Sequence, residues 1–210
     1  MKNKSELFKK IIWLFVVGCI IGFVLETFWY FLKHGILINK QGVLYGPFKP
    51  VYGFGILAVT LIFEKIKTKS NTKIFLFGIL IGSIYEYVLS LFQEFVLGTS
   101  TWNYSAFAMN LNGRIYIPYC IGWGCFALIW MQYLYPTIKK WINKIPLWFS
   151  TLVAIFMISN LIVSGLAVYE YANRANQIKP RHKILKVMDK LYDDEVMKKK
   201  FPKLKVIKKD

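Results

Sequence analysis

Charge is scarce in this sequence, and negative charge is scarcer still. Only 19% of the 210 residues are charged, with 11 acids against 28 Lys+Arg, for a formal net charge of +17. Soluble domains carry about one quarter charged residues. The missing charge is replaced by 56% hydrophobic and 18% aromatic residues. Several catalytic signatures are absent too. There is no G-x4-G-K-[ST] loop for nucleotide phosphates, no H-E-x-x-H zinc helix and no G-x-S-x-G nucleophile elbow. The two histidines, His34 and His182, stand apart and assemble no dyad. The three cysteines, Cys19, Cys120 and Cys125, all lie in apolar runs, which reads as packing and not as a disulfide framework. No enzyme activity, metal or cofactor is expected of the chain. The basic residues flank apolar runs and follow no zinc-finger or groove-reading pattern, so they fit anionic lipid headgroups and topology signals and exclude a nucleic-acid partner.

What is present is a set of long apolar runs: Phe8–Leu32, Leu44–Phe63, Lys73–Leu97, Ile115–Tyr135 and Leu147–Tyr169. Each holds roughly the 20 residues that cross about 30 Å of hydrocarbon as a helix. Only helices satisfy their own backbone in lipid along single segments, so the expected fold is all-α. It is an integral membrane bundle of about five transmembrane helices over residues 1–170, followed by a basic soluble tail with a short helix over 171–210. The basic start MKNKSELFKK resembles a signal peptide. The run after it is too long, contains Glu26 and lacks a cleavage site, so it reads as a retained first helix. Lysines cluster before the first run, between the second and third, and between the fourth and fifth, which favours a cytoplasmic N-terminus in a cell membrane. Five crossings then put the tail outside, although it carries 13 Lys+Arg against five acids. In the tail, Ile184, Leu185, Val187, Met188, Leu191 and Tyr192 could form one helix face ended by Pro202, packing on the body or lying on a membrane surface.

The chain also repeats itself. Gly18-x3-Gly22-x3-Glu26 recurs as Gly78-x3-Gly82-x3-Glu86, at an offset of 60. Gly42-x2-Tyr45-x-Pro47-Phe48 recurs as Gly113-x2-Tyr116-x-Pro118-Tyr119, and Gly53 recurs as Gly124, at an offset of 71. Two helical hairpins, about 8–63 and 73–135, are therefore expected to form a parallel repeat about an axis along the membrane normal, with a fifth helix at 147–169 outside it. Glycines four apart let helix backbones approach closely. Packing does not explain the acid that continues each stripe.

Glu26 and Glu86 lie inside apolar runs, where an acid must face the interior, find a partner or take up a proton. If the repeat holds, the two could face each other across its axis, with Arg114 as their candidate cation. Glu94 lies nearer its helix end, where it could reach the interface. The alternative is a structural pairing of the helices. Two connections look ordered. In the first, Gly46, Pro47 and Pro50 impose a non-helical turn ahead of Tyr52 and Gly53. In the second, Trp102, Asn103, Tyr104, Ser105, Asn110 and Gly113 are rich in aromatic and hydrogen-bonding groups, fitting either an interface marker or a re-entrant cap over the acids.

These same residues carry a family resemblance. Leu25-Glu26, Tyr45-Gly46-Pro47, Pro50-Val51-Tyr52-Gly53, Glu86, Trp102-Asn103-Tyr104-Ser105 and Asn110-Leu111-Asn112-Gly113 resemble the bacterial CmpB-like family, described as type IV ABC-transporter permeases. The tail stretch from Tyr192-Asp193-Asp194-Glu195 to Phe201-Pro202 resembles the ends of its members. The resemblance implies a permease-like subunit that works with a separate ATPase, and it supplies no catalytic residues. A transport role through the acids, as a homodimer or with partner subunits, is the first expectation. A non-transporting scaffold or regulator acting through the basic tail is the alternative, and an intramembrane enzyme acting on lipid is a third.

Overall fold

The computed structural model describes residues 2–208. The outer limits of the two expected units, Met1 and Lys209–Asp210, lie outside the described residues, as do the side chains of Lys2 and Asn3. Seven helices follow one another: α1 (Lys2–His34), α2 (Pro50–Ile66), α3 (Asn71–Leu97), α4 (Ile117–Lys144), α5 (Leu147–Ala175), α6 (Lys183–Leu191) and α7 (Asp194–Lys200). Four two-residue strands complete the chain, β1 (Thr99–Ser100), β2 (Asn110–Leu111), β3 (Ile115–Tyr116) and β4 (Lys205–Val206). β2 and β3 form an antiparallel hairpin, and β1 pairs antiparallel with β4.

Four helices, α1, α3, α4 and α5, are long and apolar enough to cross a membrane. Large apolar side chains cover their outer surfaces, including Trp29 at 63% and Phe95 at 77% exposure. A surface of that kind calls for an apolar environment. The expected second crossing is shorter than its run suggested. Its helix starts at Pro50, not Leu44, and its 17 residues span about 25 Å. The reason is that residues 35–49 fold back along α1 before the helix begins, so that the Lys49 amide donates to the Cys19 carbonyl at 3.0 Å. Proline at the first helical position then starts α2, its missing N–H costing nothing there. The fifth run, expected to end at Tyr169, continues as helix to Ala175.

α1 packs against α2, and α3 against α4, as two hairpins, and α5 packs against both α1 and α3. Corresponding glycines make corresponding contacts. A Cβ on Gly18 would sit 2.9 Å from the Gly53 Cα, and one on Gly78 would sit 3.2 Å from the Gly124 Cα. One on Gly22 would strike the Tyr52 ring at 2.3 Å, and one on Gly82 the Trp123 ring at 2.4 Å. The two ring distances are below any real carbon–carbon contact, so each stripe is where an aromatic from the partner helix seats directly against backbone.

One end of the bundle gathers the start of α1, the end of α2, the start of α3, the last turns of α4 and the start of α5. There Glu64 takes both Lys10 and the Tyr135 hydroxyl, with Lys139 at 3.8 Å. The Trp13 indole donates to Ser150 Oγ at 2.9 Å. A core of Leu14, Ile56, Phe63, Ala127 and Trp130 lies beneath, and the fully buried Trp130 donates to Thr60 Oγ1 at 2.8 Å. A π-helical turn at Trp130–Leu134 precedes Pro136. A widened turn accommodates a residue that has no N–H to give.

The tail lies at the other end. α5 presents Ala167 and Val168 to Leu44, Met197 and Phe201. Arg174 binds Asp189 Oδ1 at 2.5 Å and Asp194 Oδ1 at 2.6 Å, and Ile207 N–H reaches the Gly98 carbonyl at 2.9 Å. The expected single tail helix is divided, because Asp193 caps a new helix by accepting from Val196 N–H at 2.9 Å. Met197 and Phe201 of the second part dock, whereas α6 buries none of its residues.

Candidate functional site

The glycine stripes of α1 and α3 determine where the acids sit. Tyr52 on α2 and Trp123 on α4 fill the space that Gly22 and Gly82 leave, and their polar ends meet the next residue of each stripe. The Trp123 indole N–H donates to Glu86 Oε2 at 2.9 Å. The Tyr52 hydroxyl lies beside Glu26. The two rings lie 5.8 Å apart at 42°, so a continuous line runs Glu26–Tyr52–Trp123–Glu86 between the two repeats. The acids do not touch each other; this aromatic pair separates and connects them.

The two carboxylates have different surroundings. Glu86 is 7% exposed and accepts from Trp123 and from the Tyr104 hydroxyl at 3.0 Å. Both donors are neutral, and among the described residues no cation pairs with it. Burial and the adjacent carboxylate hold the Tyr104 phenol well above its ordinary range, so it keeps its proton and remains a donor. Glu26 instead pairs with Lys49, with 29% of its side chain exposed. One acid is thus compensated by a cation and the other only by dipoles. The second arrangement can take up a proton or a cation with little rearrangement.

Arg114 does not stand between Glu26 and Glu86 as expected. It pairs with Glu94 and donates to Ser90 Oγ at 3.1 Å, two positions further along the α3 stripe. The cause is its place at the tip of the β2–β3 hairpin, which closes over the end of α3 and keeps the guanidinium beside the Tyr87 ring at 5.8 Å. These groups border a separate cavity of about 270 Å³.

Both connections are ordered. In the second, Asn112 and Gly113 turn the hairpin with φ of 52° and 67°. Ser105 N–H donates to Asn103 Oδ1 at 2.8 Å, Gly113 N–H to Asn110 Oδ1 at 2.7 Å, and the Trp102 indole to the Arg114 carbonyl at 3.0 Å. Tyr104 packs among Phe107, Tyr116 and Tyr119 in tilted and edge-on ring contacts, which hold its hydroxyl over Glu86. In the first, Gly46 has a φ of 79° and the Phe48 amide returns to its carbonyl at 2.9 Å, with Pro47 between them. This connection is held from α5: Asn160 Nδ2 donates to the Tyr45 carbonyl at 2.7 Å, and Leu44 N–H to Ser164 Oγ at 2.8 Å.

The family model described as "Putative ABC-transporter type IV" matches residues 13–168, well over half of the 210. The chain belongs to that family. No curated protein and no solved structure matches it. The part of this type IV family member that is matched contains both repeats, both connections and the Asn160–Ser164 anchor, and it ends ahead of the tail. With four helices of membrane-crossing length, the chain is a transporter-like membrane protein.

Several residues at the site carried no prediction. Trp123 could have been found, because the offset of 71 that relates Gly53 to Gly124 also relates Tyr52 to Trp123. Lys49 could not, because its counterpart is Cys120 and nothing in its run marks it as a partner of Glu26. Elsewhere, on the last turns of α5, Glu170 is 1% exposed and bonded to Asn173 Nδ2 at 3.0 Å; it lies one residue past the fifth run. Among the described residues, no group of His, Cys, Asp and Glu could hold a metal ion.

Proposed function

We propose that the chain is the membrane-embedded, permease-like subunit of a bacterial cell-membrane transporter, multi-pass with a cytoplasmic N-terminus, in which Glu86 is the group that moves charge. The observation carrying this reading is a buried carboxylate bonded only by the neutral groups of Tyr104 and Trp123, beside the aromatic contact that joins the two repeats. Glu26, Glu64 and Glu94 each take a cation; of the two buried acids that do not, Glu86 lies between the repeats and Glu170 on the last turns of α5. The reading assigns no catalysis to the chain itself. Energy would come from an ATPase subunit or from an ion gradient, and the complete unit would be a homodimer or a complex with partner chains. Proteoliposomes holding the purified protein and a trapped pH dye test it. A proton or cation flux that Glu86→Gln abolishes supports the reading, and flux retained in that variant removes Glu86 from it.

A second reading draws on the tail. α6 exposes Ile184, Val187 and Leu191 beside Lys183, Lys186 and Lys190, a combination suited to a membrane surface or a partner protein. The chain would then act as a scaffold or regulator through this tail. Replacing Ile184 and Leu191 by Asp should abolish function in cells while thermal stability stays unchanged. An unaffected phenotype rules out this second reading.

A further inference from the structure

A cavity of about 850 Å³ lies on the Glu26 side of the bundle, walled by the first connection, α3, α5 and the returning tail strand. Its charged lining is one-sided. Lys40, Lys49, Lys203 and Lys205 face it with Glu26 as the single acid, so four positive charges less one negative leaves three. Glu26 is already taken by Lys49. The other three lysines have no ion-pair partner among the described residues. Two of them crowd one ring: the Lys40 and Lys203 ammonium groups lie 4.5 and 5.2 Å from the centre of Tyr30. A π face attracts each cation, but the pair repel one another unless an anion lies near. Burial holds Lys40 below its usual range; Glu26 opposes the shift, and Lys49 and Lys203 add to it.

The rest of the wall mixes polar groups, among them Asn39, Gln93, Thr101 and Asn103, with an apolar patch. Phe54, Leu89, Phe92 and Leu161 form that patch, and Phe54 and Phe92 are 46% and 49% exposed on the outer surface of their helices. The cavity is thus cationic at the connection end and opens past aromatic side chains toward the hydrocarbon.

We infer that this cavity binds the headgroup of an anionic, phosphate-bearing lipid between Lys40, Lys203 and Lys205, with its acyl chains leaving across Phe54 and Phe92. Basic pockets between membrane helices take such headgroups for reasons of charge. The apolar exit favours a lipid over a free anion, which would leave that surface unfilled. The tail belongs to the site, because β4 holds Lys203 and Lys205 in place by pairing with β1. The inference goes beyond the transport reading and does not depend on flux.

Native mass spectrometry of the full chain, released from nanodiscs of matched phosphatidylglycerol and phosphatidylcholine, tests it. Preferential retention of phosphatidylglycerol is expected. Lys40→Gln with Lys203→Gln should cut the preference about 30-fold, roughly fivefold per lysine, and the Arg pair should restore it. Lys139→Gln with Lys140→Gln at the opposite end should leave it unchanged. Equal retention of the two lipids, or a preference that survives the Gln pair, overturns the proposal. Glycerol phosphate binding as tightly as the lipid would show a free-anion site and overturn it as well. Should the Gln pair not fold, the unmodified protein still decides: phosphatidylglycerol must raise its Tm more than phosphatidylcholine does, and equal shifts refute the site.

Discussion

Replacing Glu86 in two ways separates its charge from its bonding. Glutamine keeps the shape and offers one carbonyl and one amide NH2. The Trp123 indole can only donate, so the carbonyl must turn toward it at the present 2.9 Å. The NH2 then faces Tyr104, whose hydroxyl can rotate from donor to acceptor across 3.0 Å. Both contacts survive without charge, and Glu86→Gln should change stability by less than about 1 kcal/mol. Alanine orphans two donors that water cannot reach freely. At about 1–3 kcal/mol for each unsatisfied group, Glu86→Ala should cost about 2–6 kcal/mol. Thermal unfolding of the detergent-solubilised protein, followed by tryptophan fluorescence, gives both values. A Glu86→Gln variant as unstable as Glu86→Ala would mean that the negative charge itself stabilises the bundle, and the division of roles argued for Glu86 would fail. An Ala variant as stable as the parent would refute the two hydrogen bonds.

Gly82→Ala, whose Cβ would lie 2.4 Å from the Trp123 ring, should destabilise by about 1–3 kcal/mol through overpacking. Gly165→Ala, with nothing within 4 Å, should be neutral or stabilising by up to about 1 kcal/mol; the same unfolding assay compares them. Thr60→Val leaves the buried Trp130 indole without its acceptor and should lower stability by about 1–3 kcal/mol, visible as a fall in Tm. Arg174→Ala removes the link to Asp189 and Asp194 and should raise protease cleavage near residues 180–193 about tenfold, with the body of the bundle still intact by circular dichroism.

The sequence alone carried the membrane class, the two glycine stripes, the acids that continue them and the non-helical turn at Gly46, Pro47 and Pro50. Each of these is local. Apolar length sets the class, a spacing of four sets the helix face, and residue type sets the turn. The offsets of 60 and 71 went further, pairing Gly18 with Gly78 and Gly53 with Gly124 before any contact was known. Tertiary structure alone decided how the charges pair. Lys49 reaches Glu26 because the first connection doubles back to the level of Cys19, and that path is set by Asn160 and Ser164, more than a hundred residues away. Arg114 goes to Glu94 because a two-strand hairpin carries it there. Ion pairs between distant segments depend on where whole connections pass in space, and neither periodicity nor composition encodes that. The same holds for the basic cavity, whose lysines come from the first connection and from the last strand of the tail.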